Sequence, residues 1–462
     1  MTRRLTFSVF ALVVLALASL LTVACASVPE IPTRNLPVPA DAFSADASRQ
    51  DFAEIAYVGV DRRIYVTNRS GSLSLPVTDV PDTPTTELLF DLPTWSPDGS
   101  RLAFMGFDST DNGEGRSTIY VADFVQERMD TSFVSLDNAP FYMAWDPRGD
   151  RLSFLSSDEE SSQLSLQVVD PDGRGYEALT VGRPMYFSWS PGGDYIAVHA
   201  GGAAVRESTD SRVSIIDMAG DGAPEERRIN ARAGYFQAPS FSPAGRRVAA
   251  AVVDDEGNRS LEVYASDGER LATVSALNSF AAFDWSPTGE QIAFIDGFNS
   301  PFGGVIGRFR LIDLTGESTT VSLPVQQEAP ITAATAFFWS PDGSRIAILE
   351  TLPAGDSQQV SRRYLTLSIL NTETRQVRRV GPFIPTAAFL TQVVPFFDQY
   401  QRSTTPWAPD SSALVISAVS PERRPGIYLI DLANLEEGGA EFSQIAEGRM
   451  AFWRPLPAAD TY

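Results

Sequence analysis

Enzymes need nucleophiles, bases or metal ligands, and this chain of 462 residues has few of the reactive ones. It contains one cysteine, Cys25, one histidine, His199, and no lysine, so all 36 basic side chains are arginine. A Ser-His-Asp triad sets histidine beside a nucleophile and an orienting acid, and no nucleophile-elbow sequence occurs here. Zinc and iron sites usually draw on several His or Cys ligands, so no metal and no cofactor are expected. Schiff-base and phosphate-loop chemistry would require lysine. His199 then reads as an incidental loop residue. Carboxylates are abundant, and a pair at the right separation cleaves glycosidic bonds, but no spacing singles out a pair. Asp108 to Gly113 looks like the start of a calcium loop, yet the closing Glu is replaced by Ile119 at the twelfth position. A formal charge of −22 repels phosphate backbones and argues against nucleic acid.

Cys25 has a setting of its own. Arg3 and Arg4 precede an apolar run from Leu5 to Ala24, the pattern of an export signal. Leu21-Thr22-Val23-Ala24-Cys25 resembles the bacterial lipoprotein box, although Thr22 takes the place usually held by an aliphatic residue. That resemblance implies that Cys25 is lipidated and becomes the new N-terminus. The alternatives are an uncleaved anchor, because about 20 apolar residues span a bilayer, or a simple secretory signal. A lone thiol forms no internal disulfide, so lipidation gives it a purpose. The sequence therefore divides into a signal peptide at 1–24, a lipid-anchored flexible linker at 25–51, a repeat domain at 52–458 and a tail at 459–462. The linker is rich in Pro, Ala, Asp and Ser and shows no sustained periodicity.

The repeat sets the fold class. Trp95-Ser96-Pro97-Asp98-Gly99 precedes Arg101-Leu102-Ala103-Phe104, and the pattern returns at Trp145, Trp189, Phe241, Trp285, Trp339 and Trp407. Successive motifs lie 44 to 54 residues apart, except for 68 before Trp407, and Trp453-Arg454-Pro455 is a degenerate last copy. Such periods indicate solenoids, propellers or arrays. Each copy reads as a hairpin in which Pro sets one corner, Asp bonds back to the backbone and Gly takes a positive φ. Leu102 and Phe104 should point one way, Arg101 and Ala103 the other. A second run, Ile119 to Asp123, recurs downstream with equivalents ending at Asn68, Asp170, Asp217, Ser266, Asp313, Asn371 and Asp431. The unit at about 53–80 lacks a Trp-bearing strand, and Trp453 lacks the strands that follow one. The reading is all-β: a single β-propeller of eight four-stranded blades, closed between the N- and C-terminal strands. The repeated Trp is expected to pack between blades.

On these motifs residues 52–458 resemble the TolB-type, WD-repeat-like β-propeller family, whose units carry WSPDG, an IAF-like strand and an IYVMD-like strand. TolB has an α/β domain before its propeller, where this chain has only a linker. Similar propellers accompany the hydrolase domain of prolyl-oligopeptidase relatives, and no residues remain here to build one.

Strand order separates two ends. Tight SPDG-like turns share one, while the irregular segments 105–117, 199–211, 296–306 and 350–362 share the other, which is the expected binding face. Asp108, Asp111, Glu114, Asp158, Glu159, Glu160, Asp254, Asp255 and Glu256 collect there as an acidic rim. The largest insertion, at about 382–406 between blades, carries Phe383, Phe389, Phe396, Phe397 and Tyr400. These rings are candidates for partner binding, or they fold over their own blades as a local core. The function expected is a non-enzymatic, surface-anchored binding or scaffold lipoprotein that recognises a protein or peptide of the cell envelope. It would be held on the outer side of the cytoplasmic membrane or at the outer membrane. The alternative is a carboxylate-dependent polysaccharide hydrolase or lyase, which needs facing acids across the central channel.

Overall fold

A computed structural model describes residues 53–78, 87–109, 115–135, 139–157, 163–202, 211–220, 222–234, 237–277, 280–299, 304–314, 320–321, 333–351, 364–435 and 439–455. Cys25, the linker, Asp111, Glu114, Asp158, Glu159 and Glu160 lie outside these residues.

The WSPDG-type turns show why the strands reverse where they do. Gly99 sits at φ +68°, and the glycine of each later copy adopts the same left-handed conformation. In the copy that lacks glycine, Ser411 takes φ +59°. The Asp98 carboxylate accepts hydrogen bonds from Ser96 Oγ at 2.6 Å and Ser100 N at 3.0 Å, which closes the corner. The second recurring run ends in the same kind of device: Asp123 accepts from the N–H groups of Val125 and Gln126 at 3.0 and 2.8 Å.

These turns build antiparallel sheets in chain order, most of them four-stranded, the β-propeller scaffold. Strand Glu87–Trp95 pairs with Arg101–Ser109, then Gly115–Asp123, then Arg128–Ser135. The alternation along Arg101–Ser109 divides its side chains between two cores. Leu102 and Phe104 join the largest apolar cluster, while Ala103 and Met105 join a second one with Met143, Trp145 and Phe154 of the next sheet. Both faces are buried because sheets stack on both sides. Several of the repeated indoles lock neighbouring sheets together. Trp145 Nε1 donates to Thr94 O at 2.9 Å, Trp285 Nε1 to Ser240 O at 3.0 Å and Trp407 Nε1 to Phe338 O at 2.9 Å. Each acceptor lies on the preceding unit.

The chain ends meet in one sheet. Strand Gly448–Trp453 runs antiparallel to Ile55–Gly59, with Trp453 opposite Ile55 and Met450 opposite Val58. Ile64–Thr67 and Ser74–Pro76 complete that sheet outward.

The insertion near 382–406 does not lie between units, as the spacing suggests. It interrupts the innermost strand of the last one. Pro385 bridges Ala418 and Trp407 bridges Leu414, both on strand Ala413–Val419. The two anchor points are four residues apart on that strand but 22 apart on the inner chain. The chain therefore leaves the strand, makes an excursion and returns to the same ladder.

Candidate functional site

The excursion enters the axial channel. Thr386 Oγ1 donates to Arg449 O at 2.6 Å, and Thr386 N to Ser417 O at 3.0 Å, holding the point of departure. A π-turn at Phe389–Val393 and a 3-10 turn at Val394–Phe396 lead into α1, Phe397–Ser403. Asp398 in the first turn and Arg402 in the last complement the helix dipole. Thr404 is extended and ends the helix, and Pro406 follows.

The partners of α1 lie on, or just before, the innermost strands of six repeat units. Phe397 stands edge-on to Phe337, with ring centroids 4.8 Å apart, and also touches Phe338. Tyr400 stacks on Phe452 and meets Tyr142 edge-on. Gln399 Nε2 donates to Phe187 O at 3.3 Å, and Gln401 Oε1 accepts from Trp339 N at 3.3 Å. The guanidinium of Arg402 donates to Asp284 Oδ1 at 3.2 Å, Pro239 O at 2.6 Å and Phe283 O at 3.3 Å. Asp284 also accepts from Ser240 and Gln401. The helix is thus a plug bonded to innermost strands on several sides.

This placement corrects the reading of the five aromatics as an exposed partner surface. Phe397 is 1% exposed; Phe383, Phe389 and Tyr400 are buried as well, and half-buried Phe396 packs on Tyr186. Burying a large ring contributes about 1.5–3 kcal/mol, so a channel lined by Tyr142, Phe187 and Phe337 draws these rings inward. The local-core alternative is the one the geometry adopts.

His199 is likewise no loop residue. It lies within strand Tyr195–Ala200, opposite Tyr186 and Val213, and is 1% exposed. Burial pushes its pKa down to about 4, so the ring is neutral and its Nε2 meets Gly201 O at 3.1 Å. Among the described residues no acid or nucleophile is bonded to it. Among the described residues no group of three or more His, Cys, Asp or Glu could hold a metal ion. Asp108, from the calcium-loop-like segment, is buried and paired with Arg116 at 2.8 Å.

Burial moves the carboxyl of Asp398, which is 4% exposed, up to about 6, over the lowering effect of Arg402 one turn away and the N–H of Ala238. Ala238 N donates to Asp398 Oδ2 at 3.1 Å. It sits where the innermost strand of its own sheet is split into Arg232–Ala233 and Ser240–Phe241. Asp284 and Asp398 are both buried and bonded to the protein itself.

The loop-rich end offers other side chains. Phe298 at 72% exposure, Phe141 at 46% and Val60 at 50% stand in solvent. By strand order all three flank the connections of this end. The segment 296–306 contains Phe298, so irregular length pointed to it. Phe141 and Val60 carried no sequence signal. Asp254, Asp255 and Glu256 are exposed on the same end, with Asp255 3.6 Å from Arg232. Among the described residues no helix is long and apolar enough to cross a membrane.

No family model matches this chain. An uncharacterized protein of Agrobacterium fabrum (strain C58 / ATCC 33970) is 25% identical over 280 residues, which is 57% of this chain and 86% of that protein. Among solved structures, a eukaryotic initiation factor is similar with a TM-score of 0.50 at 13% identity, covering 88% of this chain and 99% of that one. The β-propeller domain of the Trilobed protease from Pyrococcus furiosus gives 0.43 at 10% identity, covering 82% and 99%. TolB from Acinetobacter baumannii gives 0.36 at 14% identity, covering 80% and 83%. At these identities the likeness is one of fold alone.

Proposed function

We propose that this chain is a non-enzymatic binding or scaffold lipoprotein, a TolB-like propeller of eight four-stranded blades closed between its N- and C-terminal strands. It is anchored through lipidated Cys25 outside the cytoplasmic membrane and meets a protein or peptide partner on its loop-rich face. The observation that carries this reading is the occupied channel. The axial site, where a propeller would hold a small substrate, is filled by α1 and its flanking turns, so recognition falls to the rim. The acids of the channel are bonded internally and the sole histidine is sealed in a strand, which weighs against carboxylate-dependent glycan cleavage. The exposed rings of Phe298 and Phe141, with Val60, are apolar contacts of the kind that dominate interfaces. The pairing of Gly448–Trp453 with Ile55–Gly59 supports the closure.

The test is capture of envelope proteins on the immobilised full chain, compared with the Phe298→Asp, Phe141→Asp double variant. Losing an aromatic hot spot costs about 2 kcal/mol or more, roughly thirtyfold in affinity, so capture should drop while the melting temperature holds. Equal capture by both forms would remove this face from the reading. Acyl labelling of the Cys25→Ser form should vanish, and persistent labelling would remove the anchor.

A further inference from the structure

We infer that the channel plug is a proton-operated latch, seated when the Asp398 carboxyl is protonated and loosened when it is ionised. The plug leaves and rejoins one strand, at the bridges Pro385–Ala418 and Trp407–Leu414, and Thr386 fastens the point of departure to Arg449 O and Ser417 O. Its own cation is committed elsewhere, since the Arg402 guanidinium serves Asp284, Pro239 O and Phe283 O. Asp398 is left with two backbone N–H groups, its own at the start of α1 and that of Ala238, the latter donated from a gap in another sheet's innermost strand. The groups that face it are Arg402 from its own helix, Asp284 from strand Phe280–Trp285, and the phenols of Tyr142 and Tyr186 from the strands Tyr142–Trp145 and Met185–Trp189. Of these only Arg402 favours the charge. Asp284 opposes it, and both phenols are buried.

An ionised carboxylate buried with so little compensation penalises the closed state, whereas a neutral carboxyl does not. Opening hydrates the group and returns it to the ordinary carboxylate range. The shift from that range to about 6 is roughly two pKa units, so deprotonation raises the opening equilibrium up to about a hundredfold.

Amide hydrogen exchange on the full chain reads this directly, after correction for the intrinsic pH dependence of exchange. Amides of Phe397–Ser403 should lose protection between pH 4 and pH 8 by up to that factor, relative to the reference strand Arg101–Ser109. In the Asp398→Asn variant the plug should follow the reference strand at every pH. A wild-type plug that already follows the reference strand would overturn the latch, as would equal pH profiles in wild type and variant. Should the variant fail to fold, the wild-type comparison decides alone.

Discussion

Replacing Phe397 with Ala asks whether the channel insertion is core. The ring is 1% exposed and lies against Phe337 and Phe338. Truncating a phenylalanine in such a site costs about 3–5 kcal/mol, part transfer free energy and part cavity. Unfolding entropy near the melting point is about 2.1 cal/mol/K per residue, so for a domain of roughly 400 residues it amounts to about 0.8 kcal/mol/K. The expected fall in melting temperature for cooperative unfolding is therefore roughly 4–6 °C. Calorimetry on wild type and variant under one buffer measures it. A ring presented to a partner would leave the melting point within about a degree and weaken capture instead. A variant melting like wild type would refute the packed plug, and with it the idea that the channel is closed.

Two further outcomes follow from buried groups. His199 is held neutral, with its pKa about 4 against 6.5 in the unfolded chain, so its stabilising contribution is complete above pH 6.5 and is lost as pH falls through 4. The window is worth about 3 kcal/mol, and denaturant titrations at pH 7 and pH 4 should show His199→Gln losing less on acidification than wild type. Equal losses would place the ring in contact with water. Deleting the chain from Gly448 onward removes Met450, Phe452 and Trp453 from the core and exposes the edge of Ile55–Gly59. At about 3–5 kcal/mol for each large side chain, the deletion should abolish cooperative melting. A truncated form with a sharp transition near that of wild type would show that the terminal pairing contributes little.

The sequence by itself determined whatever is written in short-range chemistry and repeated. Pro, Asp and Gly at fixed offsets set the turns, period-two alternation set the strands, and one aromatic per unit marked the contact between sheets. These features need no partner beyond a few residues, and repetition amplifies each of them. The complementary partial units even pointed to the meeting of Ile55 and Trp453, because an unpaired strand at each end of the chain has a specific need. The plug was beyond such reasoning. Nothing in the residues around Phe397 and Tyr400 distinguishes rings aimed at a partner from rings aimed inward, since burial depends on strands as remote as Tyr142–Trp145 and Gly448–Trp453. Nor did the spacing reveal that the excursion starts and ends within one strand, as both anchors are single bridges without a run of pattern. His199 was misread for a related reason: one polar residue at a strand end is exposed or buried according to which neighbouring sheet covers it. The burial of Asp398, and with it the proton it favours, exists only because innermost strands remote in sequence pack around α1.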